Sequence, residues 1–257
     1  VPNLSDGPKN PNNFLLLAPN ISQGIFAPGY NTDTGAETVF SDDIYVTNPY
    51  FIVNQGINDL GRKRTISAIS TNYSFTKNIF AMIRLGNDAS NDDFYSIDPF
   101  GLAYTGDLKG GLNGRGQSQT TETNIDGILG GKFNLTDKLN LDVLTGANMR
   151  NNKFESVGVG GNRFVLPYLY SPFNLETFSR SYGYNEREVH SAYYSVGIGY
   201  NDILTLTTTG RYDVYSTLPT SNNSIFSPSV AAAFVFDQLI DVPALDFGKF
   251  RASYAVT

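Results

Sequence analysis

The sequence predicts an all-β chain: an antiparallel transmembrane β-barrel, present in part as about eight strands. Three observations predict it. Apolar and polar residues alternate with period two, short and long connections alternate between the strands, and uncharged residues fill most polar positions. Of 257 residues, 40% are hydrophobic, 13% aromatic and only 16% charged. A soluble globular chain usually carries about 25% charged residues. Asn, Thr, Ser and Gly take their place here, which suits the wet inner surface of a barrel.

Composition also excludes classes. A net charge of −6 argues against nucleic acid as a partner, since that needs a concentrated basic face. Cysteine is absent, so there is neither a disulfide framework nor a thiolate metal site. The longest apolar run is Val230 to Phe236, far short of the roughly 20 residues a transmembrane helix needs. A membrane chain of this kind must satisfy its backbone hydrogen bonds between the strands of a closed barrel. The chain opens at Val1 without a signal peptide and stops at Thr257 within a strand-like pattern, which reads as a fragment.

Residues 1–61 show little periodicity and are rich in Asn, Pro and Gly, as in Pro8-Lys9-Asn10-Pro11-Asn12-Asn13 and Ala27-Pro28-Gly29. They read as a long loop region leading into the barrel. Residues 62–257 read as strands near 64–76, 78–90, 121–135, 139–155, 186–200, 203–216, 226–236 and 248–257, with long extracellular loops between some of them.

The clearest strand is Leu139 to Arg150, with Leu139, Leu141, Val143, Thr145, Ala147 and Met149 on one face and Asn140, Asp142, Leu144, Gly146, Asn148 and Arg150 on the other. Such a face is core in a two-layer sandwich and meets lipid in a barrel; alternation alone does not separate the two. The connections favour the barrel. Thr76-Lys77-Asn78, Thr136-Asp137-Lys138 and Asn201-Asp202 are tight turns, whereas 90–120 and 155–186 are long and 217–225 is intermediate. Tyr73, Phe75, Phe133, Tyr200, Phe234 and Phe236 cluster beside the tight turns, where an interfacial girdle belongs, although aromatics favour strands in any case. The rival reading is a soluble or surface-anchored all-β binding or adhesion domain with its apolar faces buried against each other.

No catalytic constellation appears, and neither cofactor nor metal is expected. His190 is the only histidine and reads as a solvated residue at the start of a strand, near Glu186 and Glu188. Gly131-Lys132-Phe133 and Gly248-Lys249-Phe250 are not phosphate loops, because neither Ser nor Thr follows the Lys. The run Gly110 to Gly116 reads as a flexible loop. Asp88, Asp92, Asp93 and Asp98 form an acidic loop cluster that reads as solvated, with calcium as the sharper alternative.

Asp142, Arg150, Arg211, Asp213 and Arg251 fall on polar strand faces and are expected to face the lumen, with Arg211 and Asp213 paired as a strut of the inner wall. Phe164, Tyr168, Tyr170, Phe173, Tyr182 and Tyr184 fall in one expected extracellular loop. There they would contact cargo or a lid, or pack among themselves.

Several segments carry a family resemblance. Asn48-Pro49-Tyr50-Phe51 is followed by a strand ending Tyr73 to Thr76. Ser191-Ala192-Tyr193-Tyr194-Ser195 precedes Tyr200-Asn201-Asp202-Ile203-Leu204-Thr205-Leu206-Thr207, which runs on to Arg211 and Asp213. Ser227 to Ala232 and Phe250-Arg251-Ala252-Ser253-Tyr254 complete the set. In this order, over most of 48–257, they resemble the SusC/RagA family of TonB-dependent transporters from Bacteroidetes. Ala233-Phe234 stands where the family often has Gly-Trp, and Thr217 to Ile225 departs from its pattern.

The resemblance implies a 22-stranded barrel plugged by an N-terminal domain, a SusD-like lipoprotein lid and engagement of the TonB complex through that plug, which this sequence does not contain. It implies a setting among outer-membrane lipid. The implied activity is TonB-dependent import of a nutrient, glycan oligomers as first choice and oligopeptides as second.

Overall fold

Period-two alternation is realised as strands: β1 (Ile57–Ser74), β2 (Ile79–Asp98), β3 (Gly111–Thr136), β4 (Leu139–Phe164), β5 (Leu175–Tyr200), β6 (Leu204–Tyr215), β7 (Ser224–Val235) and β8 (Lys249–Ala255). They form one eight-stranded sheet in chain order, β1 to β8, so every neighbour in sequence is a neighbour in space. This is a computed structural model, which describes residues 10–16, 19–237 and 247–256. Ile198 pairs with Leu206, Leu206 with Ala232 and Ala232 with Ala252, which sets like faces together across β5 to β8.

Each tight turn has its own chemistry. The Thr76 hydroxyl accepts from the amides of Asn78 and Ile79 at 3.1 and 3.0 Å. The Thr136 hydroxyl does the same for Lys138 and Leu139 at 3.2 and 3.0 Å. Asn201 and Asp202 both take positive φ, 51° and 59°, the backbone of a primed turn, which the Ile203 amide closes by donating to the Tyr200 carbonyl at 3.0 Å.

The strands run longer than sequence periodicity indicates, and three expectations change. β1 begins at Ile57, and the long connections shrink to 99–110 and 165–174. Asp88, Asp92, Asp93 and Asp98 are strand residues of β2, not a loop cluster. The glycine-rich run opens β3 from Gly111 onward, and the Phe94 ring occupies the space that side chains at Gly114 and Gly116 would fill.

The chain divides into two units. The turn unit comprises Thr65–Ala89, Thr121–Lys153 and Asn185–Thr257; the loop unit comprises Val1–Arg64, Ser90–Thr120 and Phe154–Tyr184. In the turn unit, odd positions on β1 to β4 and even positions on β5 to β8 form an apolar face. Out to Asn87 on β2, Thr123 on β3, Asn151 on β4, His190 on β5 and Val214 on β6, that face carries no Asp, Glu, Lys or Arg. Its large side chains stand open: Ile69 is 67% exposed, Val230 51% and Phe250 65%. The described residues form this one sheet, and no second sheet covers the face as a sandwich would.

The loop unit has water-excluded packing of its own. Phe51, Ile52 and Leu102 form one small core; Ile97, Leu112 and Phe164 form another. The helix α1 (Pro49–Gln55) is placed by Asn48, whose side chain caps it by accepting from the Tyr50 amide at 3.0 Å, with Pro49 in the first turn. The same side chain donates to the carbonyls of Phe26 and Thr38, at 3.2 and 2.9 Å. Gly29 sits at φ 89°, and a Cβ there would lie 2.2 Å from the Phe51 nitrogen, so only glycine fits beneath the helix. Buried Asn174 closes the 165–174 connection by donating to Leu166 and Leu169 carbonyls and accepting from the Leu166 amide.

Candidate functional site

The opposite face of the turn unit collects the charge. Arg84, Asp126, Lys132, Asp142, Arg150, Arg211, Asp213 and Arg251 all occupy its parity. In a strand, residues two apart share a face, which is why Arg211 and Asp213 meet. The guanidinium Nε donates to both carboxylate oxygens, at 2.8 and 3.0 Å. Ser191, opposite Asp213 in the β5–β6 register, joins the pair by donating to Asp213 and accepting from Arg211 at 2.8 Å. Asp213 and Ser191 are buried while Arg211 is exposed. One carboxylate thus holds two donors, which fixes the arginine instead of leaving it to sweep the surface.

Tyr193 stands two residues along β5 from Ser191. Its hydroxyl donates to Asp126 at 3.0 Å, and the Arg211 guanidinium lies 5.8 Å from its ring centroid. Gly146 on β4 makes room for that ring, because a Cβ there would come within 2.5 Å of it. These groups border a recess of about 350 Å³ lined by Arg84, Asn124, Asp126, Asn148, Arg150 and Tyr193, among others. A second recess, of about 260 Å³, is lined by Arg251, Thr205, Thr207 and Ser253. Guanidinium and amide groups line the first, and Arg251 with threonine and serine hydroxyls the second, groups that bind anionic and hydrogen-bonding partners.

The five polar positions singled out from sequence therefore share one face. Arg150 and Arg211 line the first recess and Arg251 the second, Asp213 pairs with Arg211, and Asp142 lies against Gly197. The six aromatics do not form one loop. Phe164 ends β4 fully buried against Tyr170, whose hydroxyl accepts from the Phe100 amide at 3.3 Å. The Tyr168 hydroxyl donates to the Thr34 carbonyl at 3.3 Å. Tyr182 and Tyr184 lie on β5 and are exposed, as is Phe173 in the connection before it.

His190 lies well inside β5, 3.4 Å from Glu188, instead of at a strand start. Asp92 is paired with Arg62, which holds its carboxyl below the usual range, and Asp93 accepts from Gln117 at 2.7 Å. Sequence reasoning missed Arg84, Asp126, Ser191 and Tyr193. Parity along each strand points to all four, but their meeting across three different strands needs the register.

A sheet of consecutive antiparallel strands, with one face free of charge over the turn ends of its strands, has the make-up of a β-barrel wall. The family described as TonB dependent receptor-like, beta-barrel matches residues 5–257, and the chain belongs to it; this is a family of outer-membrane proteins. Three solved structures share the fold. The RagAB peptide transporter matches at 16% identity with a TM-score of 0.72. The RagAB peptide importer matches at 16% and 0.71 in its "closed-closed" state, and at 17% and 0.70 in its "open-open" state. Each match covers 82% of this chain and 24% of the other, so the chain spans about a quarter of their length. The SusC/RagA resemblance of the sequence and the RagAB likeness of the fold agree. No curated protein matches the chain.

Proposed function

We propose that this chain forms part of the wall of a SusC/RagA-type transporter of the bacterial outer membrane, importing a nutrient with energy delivered by the TonB complex. The observation that carries the reading is the sorting of charge. The apolar face of the turn unit stays free of ionised side chains over about ten residues per strand, the span a strand needs to cross a bilayer. An arginine on a lipid-facing strand position costs about 2–4 kcal/mol at mid-bilayer, so lipid on one side and water on the other account for the asymmetry. Asp142, Arg150, Arg211, Asp213 and Arg251 then face the lumen.

RagAB is named a peptide transporter, which supports oligopeptides ahead of glycan oligomers as cargo. A SusD-like lipoprotein would cover the extracellular mouth, with exposed Phe173, Tyr182 and Tyr184 as contacts for lid or cargo. The wall carries out no covalent chemistry in this reading. The test is accumulation of a labelled oligopeptide mixture by host cells. Uptake is expected to disappear when the gene is deleted and when the proton gradient is collapsed; equal uptake in deleted cells overturns the proposal.

A further inference from the structure

Three arginines border one recess of the turn unit: Arg84 on β2, Arg150 on β4 and Arg211 on β6. Asp126 is the one carboxylate in its lining, and it already accepts from the Tyr193 hydroxyl. Arg211 is matched by Asp213. Arg84 reaches only the Met82 sulfur, at 3.9 Å, and Arg150 has no ion pair among the described residues. Three guanidinium groups against the carboxylates of Asp126 and Asp213 leave one positive charge in excess. Glu122 stands on the same face without lining the recess.

Two exposed guanidinium groups with no carboxylate partner among the described residues, beside an asparagine amide, are the donor set a carboxylate takes. The excess is local, in a chain whose net charge is −6. A bare surface of that overall sign would repel an acidic ligand; this recess is where it can rest.

The geometry points to a carboxylate-binding subsite formed by Arg84 and Arg150, with Asn124 as neutral donor, that holds the acidic side chains or terminus of a peptide on its way past the wall. The inference rests on the import reading above. It goes further in selecting, among peptides, those that carry carboxylates.

The experiment uses the full-length protein in detergent and two labelled hexapeptides of equal length, one with three glutamates and one with glutamines in their place. The native protein is expected to bind the glutamate peptide about tenfold more tightly at low salt, and the preference to shrink as salt rises. In the double variant Arg84→Gln/Arg150→Gln the ratio of the two affinities should fall to about one, while Arg84→Lys/Arg150→Lys retains most of it. Heat-modifiable mobility in gels shows that each variant is a folded barrel.

A glutamate preference that survives the glutamine variant overturns the subsite, and so does the absence of any preference in the native protein, binding of neither peptide included. Another part of the polypeptide filling the recess would show as no preference together with a lower unfolding temperature for the glutamine variant, which also overturns it. Cellular uptake separates the two readings: glutamine peptide accumulating under the same energy requirement leaves import standing without the subsite, and accumulation of neither peptide removes peptide import as well.

Discussion

The loop unit and the turn unit solve the hydrophobic problem in opposite ways. All six buried hydrophobic side chains among the described residues, Phe51, Ile52, Ile97, Leu102, Leu112 and Phe164, belong to the loop unit. The turn unit has a continuous apolar face on eight strands and, among its described residues, buries no hydrophobic side chain completely. Exposed apolar patches beyond a few hundred Å² are rare on soluble monomers. A unit with a core of its own can live in water. One whose broad apolar face stands open needs an apolar medium supplied from outside, and a bilayer supplies it.

That difference breaks first at Phe164. Phe164→Ala removes a fully buried ring packed on Tyr170, Ile97 and Leu112, and should cost about 3–5 kcal/mol of local stability. Hydrogen exchange of the 165–174 connection would report it, with the same loss in detergent and in vesicles because the core is protein on every side. Leu206→Arg is the counterpart in the turn unit. Placed between Ile198 and Ala232 on the apolar face, it should cost about 2–4 kcal/mol for unfolding from a bilayer. Thr207→Arg, one residue along and on the charged face, should cost little. Equal losses at 206 and 207 would remove the claim that lipid touches only one face.

Legibility followed the same division. In the turn unit, alternation such as Leu204-Thr205-Leu206-Thr207 and turns such as Thr136-Asp137-Lys138 identify strands and their connections directly, because one face must be apolar throughout. Beyond that unit the alternation lapses, so Asn91, Asp92, Asp93 and the glycines from Gly111 to Gly116 look like loop. What makes them strand is cross-strand pairing, Arg62 with Asp92 and Gln117 with Asp93, and the Phe94 ring over glycine; tertiary context overrides weak β propensity. The site divides likewise. Arg211 with Asp213 is a same-strand pair and can be read off the spacing, whereas Tyr193 with Asp126 joins residues 67 apart and depends on a register no local pattern encodes.

Asn48 sharpens the comparison at a smaller scale, since its role is to hold chain that has no sheet to hold it. Asn48→Ala removes a helix cap and two donors to backbone carbonyls, part of them buried, and should cost about 1–3 kcal/mol. The expected readout is faster proteolysis within residues 27–56 with no change in the unfolding of the turn-unit strands. A change in both would mean that the loop unit does not stand on its own packing.

The smallest effect is one of pH, and it too is confined to the loop unit. Glu37 accepts from the amides of Asn48 and Ala103, at 2.6 and 3.0 Å. Burial nevertheless pushes its carboxyl above the ordinary glutamate value of 4.5, outweighing the two hydrogen bonds that pull it down. A group raised in the folded state binds its proton more tightly there than in the unfolded chain. Its contribution to stability is therefore complete below the ordinary value and is lost as pH rises through the folded one. Amide protection around Asn48 and α1 should accordingly increase as pH falls from neutral toward that value. Glu37→Gln, neutral at every pH, should flatten the dependence, and the protection of the turn-unit strands should not follow it. A slope of the opposite sign would mean that the two amide donors, not burial, set the charge on Glu37.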